Sequence, residues 1–403
     1  MGHPHLVQFI THQIAQHPEH RVTFAQFMEW VLYHPQWGYY SSQSDRLGFQ
    51  GDFVTAPQLS VDFGELLAEQ FQQMWQILGQ PVPFTLLEMG AGRGTLARDV
   101  LQYIKQHYPA MWLGLEYVIV ERSPALRAEQ QRQLQPFLSQ DPNSGMVQPV
   151  RWSTWEAIAP GTIVGCCFSN ELVDAFPVHR VIVKDNTLKE LYVTVTDASI
   201  PFTNTIAPLS TTKLLDYFDL VGIDITQFPE GYCTEVNLAA GDWLTTIAER
   251  LQRGYVLTID YGYFADRYYS PTRCEGTLQC YYQHSHHNNP YVHVGQQDIT
   301  AHVDFTALER WGNRLGLVNI GNLEQALFLM ALGLGDRIAN LARPDIHESA
   351  DIQAILRRRE ALHTLVNPMG MGNFRVLIQA KALTPQEKSQ PLRGLQIPAM
   401  PTT

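Results

Sequence analysis

Basic side chains are scarce in this sequence. Lysine and arginine number 28 against 39 aspartates and glutamates in 403 residues, a formal charge of −11. A chain of that sign repels phosphate backbones and anionic membrane surfaces unless its cations are clustered. The densest cluster, Arg357-Arg358-Arg359, runs into Glu360 within a helical pattern. Nucleic acid and membrane insertion are therefore not expected. Long apolar runs are missing too. Ala326 to Leu334 is about nine residues, too few for a span. The start of the chain lacks a basic segment followed by an apolar one, lacks arginine before Arg21, and lacks Ser or Thr at position 6. Neither a secretion signal, a transit peptide nor a myristoylation site is expected, and the expected location is cytoplasmic. Cysteine is rare at five, an odd count that fits a reducing compartment rather than a disulfide framework. Internal repeats and low-complexity tracts are absent.

What is present is core material, 45% hydrophobic against 17% charged. The length allows two or three domains, or one elaborated large one. The first 80 residues read as helical. Thr23 caps an amphipathic pattern to Leu32, and Phe63, Leu66, Leu67, Phe71, Met74 and Trp75 recur at helical spacing between Val61 and Leu78. From Phe84 strands and helices alternate. Strands are expected at Phe84 to Met89, Tyr117 to Val120, Val150 to Trp152, Thr162 to Phe168, Tyr255 to Ile259, near Val318, and at Phe374 to Ala380. This order predicts an α/β fold, a Rossmann-like sheet that is mostly parallel, with helices on both faces. Insertions are expected at about 176–232 (a strand pair with irregular segments), 261–300 (a polar loop rich in His and Tyr) and 323–365 (helices). From Thr384 the Pro- and Gln-rich composition predicts a disordered tail.

The sharpest motif is Glu88-Met89-Gly90-Ala91-Gly92-Arg93-Gly94-Thr95, where a strand enters a glycine turn and a helix leaves it. Glycines let a ligand approach the backbone, and the helix start points amides at it. A dinucleotide fingerprint needs glycine where Thr95 stands, which disfavours a nicotinamide oxidoreductase. Glu88, just before the turn, suits a ligand with an ammonium group. Glu121 ends the next strand, 27 residues after Gly94, where a carboxylate can accept from both hydroxyls of a ribose. Acid, glycine turn and second acid together resemble the class I S-adenosylmethionine methyltransferases.

The fourth strand ends in Ser169-Asn170-Glu171-Leu172-Val173-Asp174-Ala175-Phe176-Pro177. Beyond the carboxyl ends of strands is where such sheets hold ligands. Nucleic-acid amino-methyltransferases commonly carry an Asx-Pro-Pro-aromatic motif here. This chain carries two carboxylates instead, which can hold a guanidinium in a planar contact. Asp174 either faces that cleft or caps the turn. Asp260, in Ile259-Asp260-Tyr261-Gly262, has the same two readings. Tyr39 and Tyr40 either wall an acceptor channel or pack the N-terminal helices. Cys274, Cys280, His284, His286, His287 and His293 invite a zinc reading, but Cys-x5-Cys is not structural zinc spacing, and no metal is expected. Cys166 and Cys167 lie on opposite faces of one strand and read as core.

Further blocks extend the resemblance. Gly51-Asp52-Phe53-Val54-Thr55-Ala56-Pro57, Phe63-Gly64-Glu65, the glycine turn, the fourth-strand motif, Ile259 to Gly262, and Asp298-Ile299-Thr300-Ala301-His302-Val303-Asp304-Phe305 occur in that order. Together they resemble the MidA-like methyltransferases over nearly the whole chain. That family includes the mitochondrial assembly factor that methylates an arginine on a quinone-side subunit of complex I. The resemblance implies S-adenosylmethionine as cofactor. It implies cofactor-binding roles for Glu88, Gly90, Gly92, Gly94, Glu121, Asn170 and Thr55, and catalytic roles for Glu171, Asp174 and His302. It implies a protein substrate, an arginine-bearing subunit of an NADH-dehydrogenase-like complex. The implied layout is a helical addition with a cofactor-covering loop over 1–80 and a methyltransferase domain over 81–383. The chain departs from its relatives at Gln58, where many carry Glu, and over Cys274 to His293. A methyltransferase for another acceptor and a non-catalytic cofactor-binding chaperone remain as alternatives.

Overall fold

Seven strands form the sheet that carries the main core. They are β1 (Phe84–Met89), β2 (Leu115–Val120), β3 (Val150–Ser153), β4 (Ile163–Asn170), β5 (Leu251–Asp260), β6 (Val318–Glu324) and β7 (Arg375–Lys381). The computed structural model describes residues 2–42, 55–138, 149–198, 200–341 and 352–396. The strand order is β3-β2-β1-β4-β5-β7-β6, and β7 runs antiparallel to both neighbours. Every strand expected from the pattern is there, with ends shifted by up to four residues. β1 is buried along its whole length, because helices cover both faces of a parallel sheet. Facings alternate as a pleat requires. Cys166 joins the core under Val61–Ile77 and Thr95–His107, while Cys167 joins the core under Leu238–Arg250 and Phe305–Arg314. Phe71 and Phe168 meet at 4.8 Å between centroids on the first of these faces.

A second lobe sits beside the carboxyl edge of β4. His179–Lys184 and Thr187–Val195 form a hairpin whose turn residues, Asp185 and Asn186, have φ of 53° and 54°, the left-handed pair that a two-residue hairpin loop needs. Phe202–Ala207 and Cys233–Val236 complete the sheet, and Val22–Thr23 adds an edge, with Val22 opposite Val193. Pro4–Gln16 and Phe24–Tyr33 pack on it, sharing a core of Leu6, Ile10, Phe27, Val193, Phe202 and Tyr291. Phe24–Tyr33 opens on a full capping box between Thr23 and Gln26. The expected N-terminal unit of 80 residues therefore divides. Its first 42 residues belong to the second lobe, and Val61–Ile77 belongs to the main sheet.

Three other expectations change. The 261–300 segment is more than a loop. Ser285–His287, Gln279–Tyr282 and Asp298–Thr300 form a small antiparallel sheet with Cys280 buried at its centre. Strands of three and four residues are too short to show as alternation. The tail expectation fails for residues 384–396. Thr384 caps Pro385–Lys388, Glu387 pairs with Arg253, and the Gly394 amide donates to Gln70 Oε1 at 2.9 Å. Leu392 supplies the apolar anchor that composition alone conceals, and residues 397–403 lie outside the described residues. In the 323–365 insertion, Leu323 belongs to β6. The helices are Gln325–Ala331, Leu334–Asn340 and Ile352–Leu365. Among the described residues no helix is long and apolar enough to cross a membrane.

Candidate active site

The glycine turn joins β1 to Thr95–His107. Gly90, Gly92 and Gly94 have φ of 68°, 52° and 85°. At Gly90 the demand is doubled, since a Cβ would lie 2.7 Å from Leu172 Cδ1. A Cβ on Gly92 would meet nothing within 4 Å, because the turn faces a cavity of about 680 Å³. That cavity is walled by the turn, Glu88, Glu121, Thr55, Asn170 and Glu171, and from the second lobe by Glu29, Tyr33 and Tyr40. The volume is in the range of small-molecule sites.

Glu88 is buried, and its Oε2 accepts from Tyr117 Oη at 2.6 Å. Burial pushes its carboxyl up to about 7, against the pull of that hydrogen bond and with a further push from Glu121. Burial also raises Glu121. Its Oε1 accepts from the Ser123 amide at 2.8 Å and its Oε2 from Gln130 Nε2 at 2.9 Å. Gln130 Nε2 also donates to Gly92 O at 2.8 Å, so one amide ties the second acid to the turn. Thr55 caps Ala56–Leu59, and its amide donates to Gln58 Oε1 at 3.1 Å. A neutral amide thus makes the capping contact at Gln58. Gly51 to Val54 lie outside the described residues.

Glu171 follows β4 with φ at 51°, a left-handed conformation that costs a non-glycine residue about 1–3 kcal/mol. Its Oε1 accepts from the Ala56 amide at 3.3 Å and from Asn170 Nδ2 at 3.1 Å. Burial, with help from Asp174, pushes its carboxyl up to about 8. Asn170 Oδ1 is buried without a hydrogen-bond partner. Asp260 does not line the cavity. Its Oδ2 accepts from the amides of Leu172, Val173 and Asp174, and its Oδ1 from that of Tyr261. It is the cap, which leaves Asp174 to face the site. Burial raises both aspartates, Asp174 to about 6.

A second cavity, of about 320 Å³, opens beside the first and shares Tyr40 and Glu171 with it. Asp174, Asp298, Tyr261, Tyr281 and His302 line it. His302 stacks on Tyr263 at 5.1 Å and meets the edge of Tyr261 at 5.1 Å. Burial lowers it to about 4, so it is neutral at physiological pH and a weak base. Of the two tyrosines left undecided by sequence, Tyr39 is core, while Tyr40 donates to Asp298 Oδ1 at 2.8 Å and borders both cavities. Cys280 is buried and Cys274 exposed, each a free thiol.

Of the residues expected at the site, all but Gly94 border one cavity or the other, and Gly94 faces Gln130 instead, 3.3 Å from a would-be Cβ. Sequence reasoning missed Tyr117, Gln130, Asp298, Tyr261 and Tyr281. Tyr117 was within reach, because β1–β2 register sets it opposite Leu86, on the face that Glu88 shares. The others gain their roles from chain crossings that no spacing reveals.

The cavity residues fit an S-adenosylmethionine-sized ligand on the structure's own terms. A buried acid near neutrality suits an ammonium group, a half-held acid suits a ribose, the glycine turn leaves room for atoms, and Asn170 Oδ1 awaits a donor. Strand order, turn and acids define a class I methyltransferase. The chain belongs to a family of S-adenosyl-L-methionine-dependent methyltransferases, whose model matches residues 66–322. It is 30% identical over 368 residues to the Drosophila melanogaster protein arginine methyltransferase NDUFAF7 homolog, mitochondrial, covering 87% of this chain and 79% of that one. It is 27% identical over 377 residues to the Homo sapiens protein arginine methyltransferase NDUFAF7, mitochondrial, covering 90% and 81%. A Burkholderia thailandensis member of the COG1565 superfamily, crystallised with S-adenosyl-homocysteine, superposes with a TM-score of 0.82 at 32% identity, covering 97% of this chain and 94% of that one. This protein is an S-adenosylmethionine-dependent methyltransferase.

Proposed function

We propose that this enzyme N-methylates an arginine side chain of a protein subunit during assembly of an NADH-dehydrogenase-like complex. One observation carries the reading. Glu171 stands at the junction of the two cavities, a carboxylate strained into place between cofactor and acceptor. The names of the relatives support arginine as the acceptor. Five free thiols agree with a cytoplasmic location.

S-adenosylmethionine supplies an electrophilic methyl group on a sulfonium. In the proposed division of labour, Glu88 holds the ligand's ammonium, Glu121 its ribose, and the amides of the turn its chain, with Asn170 and Thr55 closing the cavity. Glu171 and Asp174 take the acceptor's guanidinium by its N–H groups, turn one nitrogen toward the methyl, and stabilise the charge. Orientation of this kind contributes up to about 7–11 kcal/mol. Glu171, raised to about 8 before the acceptor binds, gives up its proton when the guanidinium's charge arrives, and the ionised carboxylate is then basic enough to receive the proton that the nitrogen loses. His302, neutral, walls the acceptor side.

The test is labelled S-adenosylmethionine added with the purified enzyme to extract from cells lacking it, followed by mass spectrometry. Label on an arginine of one subunit of such a complex is the expected result. Label on a small molecule or another residue type, or none, would overturn the arginine reading.

A further inference from the structure

The second cavity has a chemistry of its own. Three carboxylates face it, from Glu171, Asp174 and Asp298, and among the described residues no lysine or arginine lines it. Asp174 is only 6% exposed, and its Oδ1 has no hydrogen-bond partner. A buried carboxylate oxygen left unsatisfied is costly, so a site that keeps one is built for a donor that arrives. Asp298 is buried too, and Tyr40 Oη and the Ile299 amide, at 2.8 and 3.0 Å on Oδ1, fix its orientation.

We infer that this cavity is the seat of the acceptor's guanidinium, with Asp174 and Asp298 as its anchoring carboxylates and Tyr261 and Tyr281 as its aromatic walls. The inference rests on the arginine reading above. A guanidinium brings five N–H donors in one plane and stacks on ring faces, which matches carboxylates set among tyrosines. An ammonium is a point charge and would use less of the arrangement. At about 320 Å³ the cavity admits one side chain and excludes a folded segment, so the backbone of the acceptor stays outside. Met369, 92% exposed at the rim, is placed to touch it there. Neutral His302 adds no opposing charge. Tyr40 divides the seat from the cofactor cavity, and Glu171 is the carboxylate common to both.

The test uses the full chain loaded with S-adenosylhomocysteine and probed by titration NMR with ethylguanidinium and its neutral isostere N-ethylurea. Ethylguanidinium is expected to bind at least tenfold tighter than N-ethylurea. Asp298→Asn is expected to lose at least tenfold of that affinity while S-adenosylhomocysteine affinity stays within twofold. Tyr281→Ala is expected to weaken ethylguanidinium severalfold, and it decides the matter should Asp298→Asn fail to fold. Equal affinity for the two probes, or ethylguanidinium affinity unchanged in a folded variant, overturns the seat. The two readings fail separately. Label on an arginine in extract, with guanidinium affinity unmoved in both variants, removes the seat and leaves the arginine function. Label on another acceptor removes both.

Discussion

Glu171 differs from a solvated glutamate in three ways. Its backbone is left-handed, one oxygen holds two donors, and burial raises its carboxyl to about 8. Glu171→Gln keeps the shape and removes the group's ability to ionise when a cationic acceptor arrives. We expect the dissociation constant for S-adenosylmethionine to stay within about threefold and kcat to fall at least about a hundredfold. Near-normal turnover would sink its proposed role. Glu88 makes a different prediction. Its folded carboxyl, at about 7, lies above the ordinary carboxylate value, so the folded state holds a proton between pH 4.5 and 7 that the unfolded state has released. Its contribution to stability is therefore present at low pH and wanes as pH rises through that window. An ammonium group favours the ionised acid, so S-adenosylmethionine binding at pH 6.5 should release protons, and less so above pH 8. Calorimetry in two buffers of different ionisation heat measures this. Glu88→Gln should remove the part centred near pH 7 and weaken binding about tenfold or more; an unchanged proton count would refute the assignment. Glu88, the three glycines, Glu121 and Glu171 were legible because each stands at a fixed offset from a strand end. Asp298 was not, because Tyr40, 258 residues earlier, orients it.

Strand, turn and helix form the smallest unit that can hold the cofactor, and β4 enters it from the side. Leu172, just beyond β4, fills the space over Gly90, so Gly90→Val meets both a steric block at 2.7 Å and a left-handed φ of 68°. Cofactor binding should be lost by calorimetry, with the far-ultraviolet circular dichroism retained. The central strands β1, β4, β5 and β7 were readable because buried strands are apolar runs closed by turn residues. The C-terminal strap was not, because a few anchors scattered among proline, glutamine and serine look like a linker. Leu392 is 2% exposed beneath it. Leu392→Ala should cost about 2–5 kcal/mol in urea unfolding and leave kcat unchanged. A cost under about 0.5 kcal/mol would mean that the strap does not pack in solution.

At the scale of the molecule, the site belongs to neither lobe. The main sheet supplies Glu88, the turn, Glu121 and Glu171, while Phe24–Tyr33 and Tyr39–Ser42 of the second lobe supply the facing wall. The lobes are stitched by Arg122 with Glu29, by Arg122 over the Tyr33 ring, and by Tyr33 Oη on Ala175 O at 2.8 Å. The net charge of −11 has a local meaning in this frame. Glu88, Glu121, Glu171, Asp174 and Asp298 converge where the lobes meet, around positions suited to a sulfonium and a guanidinium. Holding that wall in place falls to the second core. Phe27 is fully buried there, with Phe202 and Tyr291 at 5.5 and 5.4 Å between centroids. Phe71 is its counterpart in the main core, against Phe168. Each truncation to alanine should cost about 3–5 kcal/mol. Only Phe27→Ala should speed amide exchange across Phe24–Tyr33 and weaken S-adenosylhomocysteine severalfold, because only that core carries the Tyr33 wall. Equal exchange across this helix in the two variants would mean that the lobes unfold as one unit, and that the wall draws its order from the whole molecule.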